Sequence, residues 1–180
     1  LDAPVSQFLP EFSSMKALAE GANGPNQLVD APSPTLQQLL THTSGMSYAF
    51  NPGVAGALYL QEKIETGPMS GGLDHLCKRI AAMPLAFQPG KRWEYSVGID
   101  VIGRVIEVVS GKSLDRFFRE EILDPLGMNE TRFTVPGHAQ DRFAALYTPL
   151  AGDSFSVSAV KTGGDPLRQV DHADKSPFLK

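Results

Sequence analysis

Apolar residues recur along this 180-residue chain in blocks with the period of a helix, and Gly, Pro, Asn and Ser separate the blocks. "VAGALYLQEKIE" (54–65) carries Val54, Leu58 and Ile64 at helical spacing. "LDHLCKRIAAM" (73–83) sets Leu73, Leu76 and Ile80 on one side and stops at Pro84. The most apolar block is "EYSVGIDVIGRVIEVVSGKS" (94–113), with Val97, Val101, Ile102, Val105, Ile106 and Val109, and Gly111 in place to end the helix. Gly98 and Gly103 lie inside it, each costing about 1 kcal/mol against Ala in a helix. Close approach of another backbone would explain them.

Weaker signals complete the pass. Asp2 caps a short first helix with Pro4 in its first turn, and Pro10 ends it. Residues 13–34 read as loop. Thr35 and Gln38 have the spacing of a capping box before Leu36, Leu39 and Leu40, and Gly45 is placed to end that helix. Ser113 caps "LDRFFREEIL", with Leu114, Phe117, Phe118 and Ile122 facing inward. The period then changes. "AALYTPL" (144–150) and "SFSVSAV" (154–160) read as two strands joined through Ala151-Gly152-Asp153, and the tail from Thr162 to Lys180 reads as polar loop. The expectation is a mainly α chain with a small β-hairpin near its C-terminal end: a helical part over 1–133 and a β excursion with a polar tail over 134–180.

Composition narrows the functional classes. The chain is 42% hydrophobic and 20% charged, with a net charge of −4. That balance gives no reason to expect nucleic acid or an anionic membrane as partner. No apolar run is long enough to span a bilayer, and "LDAPVSQFLPEF" has neither the basic start nor the apolar stretch of a signal peptide. Cys77 stands alone, so cytosolic and disulfide-free periplasmic settings both fit.

The chemistry centres on Tyr95. A free phenol has a pKa near 10, so only ~0.1% is ionised at pH 7. A helix N-terminus and a nearby ammonium both favour the phenolate, and Tyr95 sits at a helix start behind the stiff "QPGKRW". The bland alternative is a half-buried tyrosine bonded to a backbone carbonyl. Ser96 reads as the N-cap. Ser44 and Ser47 in "HTSGMSYA" fall one residue short of a nucleophile elbow, which also needs a leading strand. They read as turn serines. His42, His75, His138 and His172 are scattered, and neither His75-x-Cys77 nor Asp171-His172-x-Asp174 has metal spacing. No metal or cofactor is expected. Trp93 and His42 are expected to pack or hydrogen-bond near the entry loop, and Asp100 to cap or pair within the helical lobe.

Taken in order, "LDAPVSQFLPEF" (1–12), "LLTHTSGMSY" (39–48) and "QPGKRWEYSVGIDVIGRVIEVVSGKSLDRFFREEILDPLGMNETRF" (88–133) resemble the serine β-lactamase and penicillin-binding-protein superfamily. The resemblance is nearer to its β-lactamase-like carboxylesterases and acyltransferases. It implies the helical lobe of an α+β fold and an acyl-enzyme mechanism. In that mechanism the serine of S-x-x-K is the nucleophile, and its lysine and a tyrosine (here Tyr95) move the proton. Substrates would be small-molecule esters or β-lactams. Val97 stands where true β-lactamases carry Asn, which favours esters.

Two strings mimic the remaining motifs. Ser13-Ser14-Met15-Lys16 matches S-x-x-K, yet it follows the segment that the family's nucleophile helix precedes. Lys161-Thr162-Gly163 matches K-T-G, but Gly164-Asp165-Pro166 would break the strand that motif needs. The resemblance therefore implies a middle portion of such an enzyme, without nucleophile or lysine. It would be inactive alone and open to self-association through an uncovered apolar face. Two other readings stand beside it. One is a non-catalytic helical binding module. The other is a compact site of Ser13, Lys16, Tyr95 and Lys161.

Overall fold

In a computed structural model the described residues are 1–64, 71–144, 146–149 and 167–171. They fall into two compact units, Leu1–Ile122 and Leu123–Lys180.

The first unit begins with two 3-10 turns, Val5–Gln7 and Pro10–Ser13, where one α-helix was expected. Asp2 caps neither turn. The amide of Val5 is held by the Pro34 carbonyl at 2.8 Å, and Pro10 has no amide to continue a helix. Strands β1 (Met15–Leu18) and β2 (Leu28–Ala31) then form an antiparallel hairpin inside the stretch read as loop. Leu85 extends β1, through Leu18 N–H to its carbonyl and its own N–H to the Lys16 carbonyl, both 2.8 Å. Helix α1 (Leu36–Leu40) has the predicted capping box, with both Thr35–Gln38 bonds present. The carbonyls of Ala3 and Leu1 take its next free amides, those of Leu36 and Gln37. It closes at Thr41, and Gly45, at φ +85°, belongs to a later turn.

Helices α2 (Val54–Gln61), α3 (Gly72–Ala81), α4 (Gly98–Ser110) and α5 (Leu114–Phe118) follow, the last continued by a π-helical turn at Arg119–Leu123. The buried face of α2 is Ala55, Gly56 and Tyr59, and Ile64 is buried in the turn beyond it. Helix α4 is the centrepiece, in contact with α1, α3 and α5. It sends Val101 and Val105 into a core shared with Val5, Phe12, Met46 and Ile80. It ends at Gly111 in the left-handed region, as predicted.

A Cβ on Gly98 would stand 2.9 Å from the Leu39 carbonyl oxygen, so that glycine does mark a close approach of backbone. Gly103 faces side chains instead, Leu114 and Leu73. Leu114, Phe117 and Phe118 are only half-buried and Ile122 is exposed, so α5 does not face inward as expected. Its Leu114 lies against Gly103 of α4, and its ion pairs run along its own segment. Lys112 reaches Glu120 at 2.8 Å and Glu121 at 2.6 Å, and Arg116 reaches Glu120 at 2.6 Å. The bonds from Lys112 and Arg116 hold the Glu120 carboxyl down at about 2.

In the second unit β3 (Leu146–Pro149) pairs antiparallel with β4 (Leu167–Asp171). The first strand was foreseen. Its partner lies in the tail read as loop, and the proposed strand 154–160 and its turn lie outside the described residues. Among the described residues, no helix is long and apolar enough to cross a membrane.

Candidate active site

Tyr95 is reached through a loop held at several points by the 42–51 segment. The Glu94 amide donates to the His42 carbonyl at 2.9 Å. Asn51 Nδ2 donates to the Tyr95 carbonyl at 2.9 Å. The Ser96 amide donates to His42 Nδ1 at 3.3 Å, and the Val97 amide to the Ser47 carbonyl at 3.4 Å. Four consecutive residues thus each give one main-chain group to the same facing segment. Upstream, the Gly90 amide reaches the Thr43 carbonyl at 2.7 Å and the Ala86 amide the Gly45 carbonyl at 2.6 Å. The two segments are zipped together over most of their length.

Beneath that zipper lies a carboxylate. Glu94 accepts from Ser47 Oγ at 2.8 Å and from Asn51 Nδ2 at 3.3 Å, with Arg92 at 3.4 Å. Asn51 Nδ2 also lies 3.1 Å from Ser47 Oγ. Ser47 is therefore committed to a carboxylate, and the fully buried Ser44 accepts from the Met46 amide at 3.3 Å. Neither serine is placed as a nucleophile. Ser96 is buried too, and it is not the N-cap: that position is Val97, because Ser96 turns its amide and, at 3.5 Å, its hydroxyl to His42 Nδ1.

The Tyr95 side chain is 48% exposed, so it is neither sealed in the core nor free of neighbours. Its ring lies 4.8 Å from His42, 5.1 Å from Tyr48 and 6.5 Å from Phe50, centroid to centroid. Tyr48 and Phe50 stack at 5.0 Å, and His42 meets Trp93 edge-on at 6.1 Å. Phe50 and Trp93 are 70% and 65% exposed. Large rings left in water around a tyrosine form a wall suited to an apolar ligand group. A groove of about 600 Å3, lined by Leu18, Val29, Phe87, Lys91 and Arg92 among others, shares Glu94 with the network, but Tyr95 is not part of its wall.

The other candidates disperse. Lys16 is on β1 and pairs across the hairpin with Asp30, its register partner. It is thereby engaged away from Tyr95. Ser13 is exposed in the second 3-10 turn. Lys161-Thr162-Gly163 and His172 lie outside the described residues. On α3 His75 is exposed and Cys77 buried, so they do not converge. Burial raises the Cys77 thiol to about 12. Among the described residues no His, Cys, Asp and Glu side chains gather as a metal would require. Asp100, in the first turn of α4, accepts from its own backbone, and burial raises its pKa above the usual carboxylate range.

Sequence reasoning placed His42 and Trp93 near the entry loop and missed Glu94 and Asn51. Nothing local joins residues 43 and 47 positions apart. The only trace was an acid directly before the tyrosine, in a loop otherwise closed by a cation and a tryptophan.

Residues 1–164 match the beta-lactamase family. The chain belongs to that family. It is 38% identical over 149 residues to the esterase EstB of Burkholderia gladioli, an alignment covering 82% of this chain and 35% of EstB. It is 34% identical over 169 residues to the lovastatin esterase of Penicillium rubens, covering 91% of this chain and 40% of that enzyme. Among solved structures it is similar to EstCE1, described as a hydrolase with promiscuous acyltransferase activity, at a TM-score of 0.67 and 33% identity, over 84% of this chain and 37% of that one. The chain thus shares part of the β-lactamase and penicillin-binding-protein-like fold with its structural neighbours, as the quoted motifs implied. The chain spans well under half the length of the curated relatives it matches.

Proposed function

We propose that this chain is the tyrosine-bearing part of a serine hydrolase that cleaves carboxylic esters through an acyl-enzyme, with Tyr95 as general base. The nucleophilic serine and its lysine would come from a segment of a longer protein. In the reaction, Tyr95 accepts the serine proton as Oγ adds to the ester carbonyl carbon. Collapse of the adduct breaks the bond to the alkoxy oxygen, and the proton returns to the departing alcohol. Water then enters by the same route and releases the carboxylic acid. An ammonium beside the phenol favours the phenolate, and the first turn of α4 follows two residues behind Tyr95.

The observation that carries this reading is a half-exposed phenol on a backbone clamped at four successive residues. Positioning of that kind serves catalysis, whereas a packing tyrosine needs only burial. Val97 supports esters over β-lactams. It is buried, so the third position of the motif presents no polar group to a lactam. Ile99 and Val109 stay exposed within one quadrant of α4, an apolar strip that the rest of such a fold would cover.

The test is hydrolysis of short p-nitrophenyl esters and of a chromogenic cephalosporin by the intact protein. Ester turnover should exceed cephalosporin turnover, and Tyr95→Phe should lower ester kcat by roughly 10²–10⁴-fold. Near-wild-type ester hydrolysis by Tyr95→Phe would end the assignment.

A further inference from the structure

His42 touches the Tyr95 loop on three sides. Its carbonyl accepts the Glu94 amide, one residue before the tyrosine. Its Nδ1 accepts the Ser96 amide, one residue after. Its ring lies against the tyrosine ring itself, 4.8 Å between centroids. His42 stands at φ +54°, in the left-handed region, because it closes α1: its amide donates to the Leu39 carbonyl at 3.2 Å and the Thr43 amide to the Gln38 carbonyl at 2.8 Å.

The Ser96 bond also fixes the state of the ring. An N–H donor pointing at Nδ1 is met by a lone pair there, which assigns the ring the tautomer with its proton on Nε2. Trp93 braces the ring from its other contact, edge-on at 6.1 Å.

We infer that His42 is a positioning residue for Tyr95, acting through the Nδ1 lone pair that holds the Ser96 amide. The inference rests on the reading of Tyr95 as the base. It assigns His42 no proton transfer of its own. Its effect is on where the phenol stands: releasing Ser96 frees the chain on one side of Tyr95, while Asn51 still grips the Tyr95 carbonyl.

Two substitutions separate acceptor from ring. His42→Asn places Oδ1 at the same bond separation from Cα as Nδ1, and Asn tolerates positive φ, but it has no ring to stack. His42→Phe keeps a ring and offers no acceptor. In the intact protein His42→Phe should lower ester kcat by about 10- to 100-fold, the scale of an ångström-level misplacement, with KM within about twofold. His42→Asn should keep kcat within about threefold. Equal losses in both variants, full activity in His42→Phe, or a rise in KM alone would overturn the inference.

Tyr95→Phe is assayed in parallel. If it loses activity while His42→Phe does not, only the role of His42 fails. If Tyr95→Phe stays active, the base assignment fails and takes this inference with it. A measurement on the unaltered protein covers the case in which His42→Phe does not fold: the imidazole nitrogen shifts of His42 should report the Nε2–H tautomer at neutral pH. A proton on Nδ1 would overturn the assignment.

Discussion

Two stretches meet at Val97, and they are held by different physics. Upstream, residues 94–97 hang on the 42–51 segment by hydrogen bonds of 2.9–3.4 Å, with a carboxylate underneath. Downstream, α4 is held by apolar burial of Val101 and Val105. Apolar burial selects a face but tolerates repacking. A hydrogen-bond set admits one geometry, and each member lost leaves a buried group unpaired. The difference teaches where to look for function in this fold. Position matters most where the chain spends polar contacts, and stability matters most where it spends apolar area. Changes upstream should then move kcat more than melting temperature, and changes downstream should do the reverse.

The largest effect is expected at the junction. Gly98→Ala adds a methyl 2.9 Å from the Leu39 carbonyl oxygen and 3.3 Å from its Cα, both backbone atoms of α1. A loose contact would let alanine stabilise the helix by about 1 kcal/mol. The close approach predicts the opposite sign, a loss on the order of 2–3 kcal/mol from overpacking. The check is thermal unfolding of the intact protein. A raised melting temperature would show that α4 slides freely on α1 and would erase the contrast with the clamp.

Ser47→Ala tests the other side. It removes the 2.8 Å donor from Glu94 while Asn51 and Arg92 remain. A hydrogen bond to a charged group contributes about 1.5–3 kcal/mol, and the surviving partners should hold the loss near 1–2 kcal/mol. Ester kcat should fall by a larger factor than unfolding of the active fraction accounts for. Activity that simply tracks the folded fraction would show the network to be scaffolding only.

How much of this was legible follows the same division. Helical periodicity located α2, α3 and α4, and Gly111 and the Thr35–Gln38 box marked ends correctly, because those signals are local. It did not say that the α5 side chains would stay half-buried, since what covers a face is not written in its spacing. The hairpin of β1 and β2 was hidden because each strand is four residues long and β2 is exposed at three of them. What holds β1 in place is Leu85, far along the chain. The strand β4 that pairs with β3 was missed for a related reason: "LRQVD" lacks the alternation that names a strand. At the candidate site, Tyr95 was proposed by resemblance, and His42 and Trp93 were expected near the entry loop. Glu94, Asn51 and Ser47 converge only in three dimensions. Ser96 was misread as a cap because capping preference is a local rule, and here its hydroxyl turns to His42 Nδ1 at 3.5 Å while Val97 takes the N-cap position.

The smallest expected effect sharpens the apolar side of the comparison. Asp100 sits in the first turn of α4, and burial raises its pKa above the usual 3.8. A carboxyl whose folded pKa is raised binds protons more tightly in the folded state. Its contribution is favourable while protonated and declines as pH climbs from the unfolded value through the folded one. Asp100→Asn keeps an acceptor for the α4 backbone but cannot ionise. The stability of the variant minus that of the wild type should therefore rise as pH goes from 3 toward 7, and flatten once the wild-type carboxyl is fully charged. The carboxyl is partly solvated, so the rise should stay below about 1 kcal/mol. Removing charge from a helix N-terminus also forfeits a favourable dipole contact, about 0.3–1 kcal/mol. The sign of the absolute difference at neutral pH is thus a weaker test than its slope. A difference that falls with pH would mean that Asp100 gains more from the first turn of α4 than it loses to burial, and α4 would then be anchored by charge at the end nearest Tyr95.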